Sequence, residues 1–203
     1  SVSEACSIIN SANVSAYDIK MTGKRGHSSI RAQASSRVLI AATVDNTESS
    51  DGMKGNYHGV GVSKQSIGTV LWRNRIGDDC SFESHASQPR ATLIDCCEGG
   101  WHKRHQGGDE KEFPHHLADL TIWNYKVTKT SETECFTWWD HSSKWYFLPP
   151  IVVGFQGGIN FDESQTKKIS SHGMEPHPQS LYESQLKKRC STLPQWLNNL
   201  KNQ

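Results

Sequence analysis

No apolar run in this 203-residue chain approaches the ~20 residues a bilayer-crossing helix needs; the longest lie near Val38–Ala42 and Leu148–Phe155. A helical membrane span is thereby excluded. An excess of one charge is also lacking. The 22 Lys and Arg face 21 Asp and Glu and leave +1, so there is no global basic field to concentrate nucleic acid, and none is expected as a partner. There is no C-x-x-C pair, which removes the usual zinc and thioredoxin signatures, and no G-x-S-x-G, P-loop, dinucleotide fingerprint or H-E-x-x-H. No cofactor is expected. With 34% hydrophobic residues the chain is polar, yet long enough to bury a core as one domain.

Six cysteines are present, Cys6, Cys80, Cys96, Cys97, Cys135 and Cys190, at irregular spacings. They read as disulfides of an oxidising compartment, the alternative being buried reduced thiols. Cys96 and Cys97 are adjacent, so on a strand they face opposite sides and should take different partners. Asn13-Val14-Ser15 is an N-glycosylation sequon. The sequence starts at Ser1 without Met or a basic-then-apolar leader, as a processed chain does. Together these place the protein outside the cell.

Short β-rich runs recur at Val14–Met21, Arg37–Val44, Gly68–Asn74, Ala91–Cys96, Leu117–Tyr125 and Ile151–Phe155, with weaker ones at Ser81–His85 and Thr137–Asp140. Aligning Val14, Val38, Val70, Leu93 and Leu120 gives steps within the ~20–50 residues of a solenoid; counting the weaker runs keeps a sandwich open. In Thr69–Arg73 and Leu120–Asn124 apolar residues stand at neighbouring as well as alternate positions, so both strand faces must be partly covered. Ser180–Arg189 reads as a helix with Ser180 as N-cap and Glu183 three residues on, a capping box. A second turn begins near Pro194. These expectations give β-rungs over 1–160 and an extension with a helical cap over 161–203. Ser1–Asn13 holds few bulky residues to cover a first rung, so a contact between copies is expected there.

His58–Arg73 (HGVGVSKQSIGTVLWR), Glu83–Gly100 (ESHASQPRATLIDCCEGG), Phe113–Tyr125 (FPHHLADLTIWNY), Pro149–Gly158 (PPIVVGFQGG) and Ser180–Arg189 (SLYESQLKKR) occur in that order. This ordered set resembles the C-terminal part of secreted, pectate-lyase-like parallel β-helix proteins that carry a C-terminal domain of unknown function. The resemblance runs over roughly residues 14 to 197. It implies an all-β chain, a right-handed parallel β-helix (solenoid) with a short C-terminal helical cap, and says little about activity; a polysaccharide or glycan partner is suggested by the residues below. The chain is shorter than such proteins, which weighs against an intact enzyme.

Four groups of residues suggest chemistry. Lys24, Arg25, His27 and Arg31 form a cationic segment in which Arg25 and Arg31 could grip sugar carboxylates, with His27 or Lys24 as a base; the plainer reading is a solvated loop. Glu83 and His85, followed by Gln88, Arg90 and Asp95, could form an acid–base pair or a structural network. His102 and His105 lie in a segment dense in ionisable groups, from His102 to His116; they are weak metal candidates, and Gly107-Gly108 suggests a loop instead. Trp138, Trp139 and Trp145, with Tyr146 and Trp101, suit a stacking platform for sugar rings, or else a core. The expected function is extracellular glycan binding. The alternatives are a polysaccharide lyase or glycoside hydrolase, with His27, Glu83 and His85 as catalytic candidates, and a self-associating structural protein.

Overall fold

The computed structural model describes residues 4–48, 58–102, 107–131, 135–140 and 145–201. The chain is mostly β, with parallel sheets and two short helices. It first lays down β1 (Glu4–Ile9), β2 (Ala12–Tyr17) and β3 (Lys20–Lys24), then β4 (Ser28–Gln33), β5 (Ser36–Ala41) and β6 (Val44–Glu48) directly alongside them. The partners Glu4 and Ser28, Ala12 and Ser36, and Lys20 and Val44 are all 24 residues apart, so one repeat length serves three sheets.

Later passages keep the order. β7 (His58–Ser63) and β9 (Ser81–His85) complete a four-stranded sheet, β1-β4-β7-β9. β8 (Val70–Trp72), β10 (Leu93–Asp95), β12 (Thr121–Trp123), β16 (Ile151–Val153) and β17 (Lys168–Ser170) extend β2-β5 into a seven-stranded sheet. β11 (Glu98–Trp101) pairs with β13 (Lys126–Thr130), and bridges from Val44 through Arg75 to Glu98 link them to β6. Among the described residues, the exception to parallel pairing is a small antiparallel ladder between β14 (Trp139–Asp140) and β15 (Trp145–Tyr146).

The register of the long sheet stacks Ala16, Ile40, Leu71, Ile94, Ile122, Val152 and Ile169 in one column, most of it fully buried. This aliphatic ladder is the spine of the core. Nearby, Trp101, Tyr125, Phe136, Trp138, Phe147, Phe155 and Phe161 fill the interior with interlocked rings, Trp101 lying 5.0 Å from Phe155 centroid to centroid. The alignment on Val14, Val38, Val70, Leu93 and Leu120 matches the true register at two steps and slips by one residue at the others, where Val70 faces Leu39 and Thr121 faces Leu93.

Each strand of the long sheet ends at a left-handed residue: Asp18, Ala42, Arg73, Cys96, Asn124, Gly154 and Ser171. Such conformations cost an L-residue about 1–2 kcal/mol, so something must hold them. From Asp18 to Gly154, each backbone N–H donates to a carbonyl of the next passage, as Ala42 does to Trp72 (2.9 Å) and Cys96 to Trp123 (2.9 Å). The corners thus continue the ladder instead of breaking it. That is why the expected runs Val14–Met21 and Arg37–Val44 are each two strands.

Two expectations about the C-terminal part need correction. The sheet continues beyond residue 160 through β17, and the helices do not sit across its last strand. Instead α1 (Leu181–Cys190) and α2 (Gln195–Lys201) cover the outer side of the long sheet, where Leu186, Leu197 and Leu200 pack with Leu39, Ala41 and Trp72, and Trp196 stacks on Tyr17 at 5.2 Å. This explains the neighbouring apolar residues in Thr69–Arg73: Leu71 points inward and Trp72 outward, under the helices. Ser180 caps α1 as expected, accepting from the Glu183 N–H at 3.1 Å, but the Glu183 carboxylate turns to Arg73 (2.7 Å) and Lys201 (2.7 Å) rather than back to the cap.

β1, β2 and β3 are edge strands, with Ile9 49% exposed. None of the six cysteines is in a disulfide. The expected bridges are replaced by thiol hydrogen bonds to carbonyls: Cys80 to Gly77 (3.0 Å), Cys97 to Leu71 (3.3 Å) and Cys96 to Gln179 (3.2 Å). Cys96 and Cys97 do face opposite ways, one toward α1 and one into the core. No helix among the described residues is long and apolar enough to cross a membrane.

Candidate functional site: an ionisable cluster on the four-stranded sheet

Arg31, Gly61 and Glu83 are register partners on β4, β7 and β9, three adjacent strands. With glycine in the middle, the Arg31 guanidinium reaches across β7 to the Glu83 carboxylate, and the two form an ion pair. Gly61 is required there, because a Cβ would come within 2.6 Å of the Glu83 carbonyl oxygen. Arg31 is also held from the edge strand by Glu4 at 3.1 Å. The pairing of β7 with β9 shifts between His58 and Gly61, a bulge that brings His58 Nε2 to 3.6 Å from Glu83 Oε1. His27, just before β4, sets its ring edge-on to His58, 4.7 Å between centroids.

His85 leaves the same strand two residues after Glu83. Gly107 approaches so closely that a Cβ there would lie 2.4 Å from the His85 ring and 3.1 Å from Glu83 Oε1. Glu83, Arg31 and His58 therefore form a floor (0%, 6% and 5% exposed), while His27 is exposed and His85 half-buried at the rim. Burial pushes the Glu83 carboxyl up to about 7, against the downward pull of Arg31, with Glu4 adding a smaller upward push. Burial, and after it the Arg31 charge, holds His27 and His85 below the ordinary imidazole value. The rim thus offers neutral imidazoles at pH 7, above a carboxyl poised to hold or release a proton. Ligand atoms of His27, His58 and Glu83 lie within 4.8 Å of one another, the one such metal-compatible trio among the described residues.

The structure unites two groups that the sequence left separate, bringing His27 and Arg31 together with Glu83 and His85. His58 was not singled out; its signal was the 30-residue step from Ser28 to His58. The other candidates fall elsewhere. Arg25 is tied to Asp79 and to Thr47 (3.2 Å), with its side chain only 8% exposed, so it braces a turn and is not free for sugar carboxylates. Lys24 ends β3 and is exposed. Gln88 donates to the Phe113 carbonyl (3.0 Å), Arg90 is exposed, and buried Asp95 accepts from Ser180 Oγ (2.6 Å) and the Tyr182 N–H (2.7 Å), which anchors α1.

His102 has both ring nitrogens engaged, at 3.0 Å from Ser131 Oγ and 3.0 Å from the Asp78 carbonyl, so it is structural rather than a metal ligand. His105 lies outside the described residues. His115 and His116 are core histidines, pushed by burial to about 4 and about 3.

Two members of the expected stacking platform, Trp101 and Trp138, are core residues. Trp138 lies in the bend just before β14 and is 2% exposed inside the aromatic core, stacked on Phe161 and edge-on to Trp101. Trp139 is half-buried against the same core, and the Trp145 side chain lies outside the described residues. Asn13 is exposed and its Oδ1 accepts from Arg37 at 2.6 Å. An open groove of about 360 Å³ beside α2, lined by Asp18, Lys20, Arg73, Arg75 and Glu98, is further concave space, but Arg73 and Arg75 are committed to Glu183 and Glu98.

Residues 55–200 match the family described as Domain of unknown function (DUF4955). No curated protein and no solved structure matches the chain, and nothing in these comparisons links it to pectate-lyase-like proteins.

Proposed function

We propose, on the premise that this chain belongs to the DUF4955 family, that it is a right-handed parallel β-helix that binds glycan on the outer face of β1, β4, β7 and β9. The helical reading is supported by the shared repeat length in three sheets and by the hydrogen-bonded corners, and right-handedness by the near-universal hand of parallel crossovers. The observation that carries the binding reading is the convergence of His27 and His85, from successive passages, at the rim of one strand face, over a buried Arg31–Glu83 pair whose arginine, like Arg25, is already committed to carboxylates. A row of parallel strands offers a linear polymer an extended surface, and imidazole and carboxyl groups are suited to sugar hydroxyls and carboxylates. With no disulfide, an extracellular setting rests on the Asn13 sequon.

Affinity electrophoresis against neutral and uronic polysaccharides tests this. Retardation by at least one glycan, relieved in a His27→Ala/His85→Ala double variant that keeps its far-UV spectrum, is expected. No retardation by any glycan, or retention unchanged in the double variant, refutes it.

Turnover is the second reading, favoured by the neutral rim imidazoles beside Arg31. In a β-elimination an imidazole takes the C5 proton of a uronate, the C4–O bond breaks as the C4=C5 bond forms, and the departing oxygen takes a proton. Ultraviolet absorbance of the unsaturated uronate reads this step directly, and its absence leaves binding alone.

A further inference from the structure

The cluster has one feature that sugar binding does not need. Glu83 is fully buried, and while its Oε2 is taken by Arg31, its Oε1 has no hydrogen-bond partner. Leaving a buried carboxylate oxygen unsatisfied costs about 1–3 kcal/mol or more, so an occupant for that position is expected. His58 Nε2, at 3.6 Å, is too far to be a hydrogen-bond donor to it.

That separation is close to another standard. Two ligands of a tetrahedral zinc ion, each bonded at ~2.0–2.2 Å, stand about 3.4 Å apart. The third donor, on His27, belongs to an exposed side chain and lies within 4.8 Å of the other two, so a small rotation closes the set. Charge points the same way. With Glu83 ionised, two carboxylates, Glu4 and Glu83, face one guanidinium, Arg31, which leaves one negative charge for a cation to offset in place of the Glu83 proton. The Arg31 bond to Oε2 then orients the carboxylate so that Oε1 is the atom offered, the usual arrangement around a metal-binding carboxylate.

We propose that His27, His58 and Glu83 bind one divalent transition-metal ion, of which Zn²⁺ is the type, through two imidazole nitrogens and Oε1. Two nitrogens and one oxygen suit zinc better than calcium or magnesium, which prefer all-oxygen sites. Three protein ligands leave a fourth position, which opens on the exposed His27 side. The inference does not rest on the glycan reading, and neither depends on the other's outcome.

The test uses the full, tag-free chain without glycan. Zn²⁺ is titrated by calorimetry, and Co²⁺ is added separately for its visible absorption, which reports coordination geometry. One Zn²⁺ per chain is expected, with a tetrahedral Co²⁺ spectrum. His27→Ala should weaken Zn²⁺ binding tenfold or more and remove that spectrum; because His27 is exposed, this variant is expected to fold. Glu83→Gln, which keeps the shape but not the anionic oxygen, should do the same. No stoichiometric uptake by the folded chain, or uptake unchanged in His27→Ala, overturns the proposal whatever the fate of Glu83→Gln.

Discussion

Lowering the pH from 7 to 5 should destabilise the protein through His115 and His116, and the size of the effect follows from their burial. His116 is fully buried; its Nε2 is 2.9 Å from Thr92 Oγ1, and its Nδ1 has no hydrogen-bond partner to stabilise a second proton. Burial lowers it to about 3 and lowers His115 to about 4, the latter against an upward pull from the Tyr146 carbonyl. In the unfolded chain both titrate near ~6.5. Between these values the unfolded state binds more protons, so the stabilising contribution is present above ~6.5 and is lost as the pH falls toward 3 to 4. From pH 7 to pH 5 each histidine should cost about 2 kcal/mol.

Glu83 works in the opposite direction. Its carboxyl is raised, so the folded state holds a proton that the unfolded state releases, and its contribution grows as the pH falls below 7. The total pH dependence therefore mixes signs, and a difference measurement isolates one histidine. Urea unfolding of wild type and His116→Gln at pH 7 and pH 5 supplies it. The substitution should destabilise at pH 7 and do so by about 2 kcal/mol less at pH 5, where the wild type has already lost that amount. An equal loss at both pH values would refute a neutral, proton-excluding His116.

Two further outcomes are expected. Trp138→Ala should cost about 3–5 kcal/mol of stability by opening a cavity among Trp101, Phe147 and Phe161, while the folded fraction keeps its glycan affinity; thermal melts paired with electrophoresis check both halves. Asp95→Ala removes the acceptor for Ser180 Oγ and for the Tyr182 N–H, and should cost about 1–3 kcal/mol, with amide exchange rising in α1 and α2 before the strands.

Much of the fold was legible because repetition leaves a mark in the sequence. The runs around Val14, Val38, Val70 and Leu93 lie on β2, β5, β8 and β10, and Ser81–His85 is β9 as read. The corners were not legible. Asp18, Ala42, Arg73 and Cys96 adopt a conformation that sequence reading reserves for glycine, and hydrogen bonds with the neighbouring passage, invisible in sequence, help to hold them there. The helices were readable, but not the surface they cover, because the outward-facing Trp72 looks the same in sequence as an inward-facing one.

At the site, residue types were legible and partners were not. Arg31 and Glu83 are 52 positions apart and meet only because Gly61 leaves the space between them empty. The place of Trp138 was illegible for a related reason. A Trp-rich segment serves a sugar platform or a core equally well, and for Trp138 the bend before β14 sets the indole among Trp101, Phe147 and Phe161. The disulfide expectation failed because six irregular cysteines suit buried thiols as readily as bridges, and Cys80, Cys96 and Cys97 each find a backbone carbonyl.

The most direct test of the functional face is a crystal structure of the chain soaked with an acidic oligosaccharide that it binds in solution. Sugar lying across β4, β7 and β9, within hydrogen-bond distance of His27 or His85, is the expected result. Sugar seated instead in the groove lined by Asp18, Lys20, Arg73 and Arg75, with the four-stranded face bare, would contradict the account.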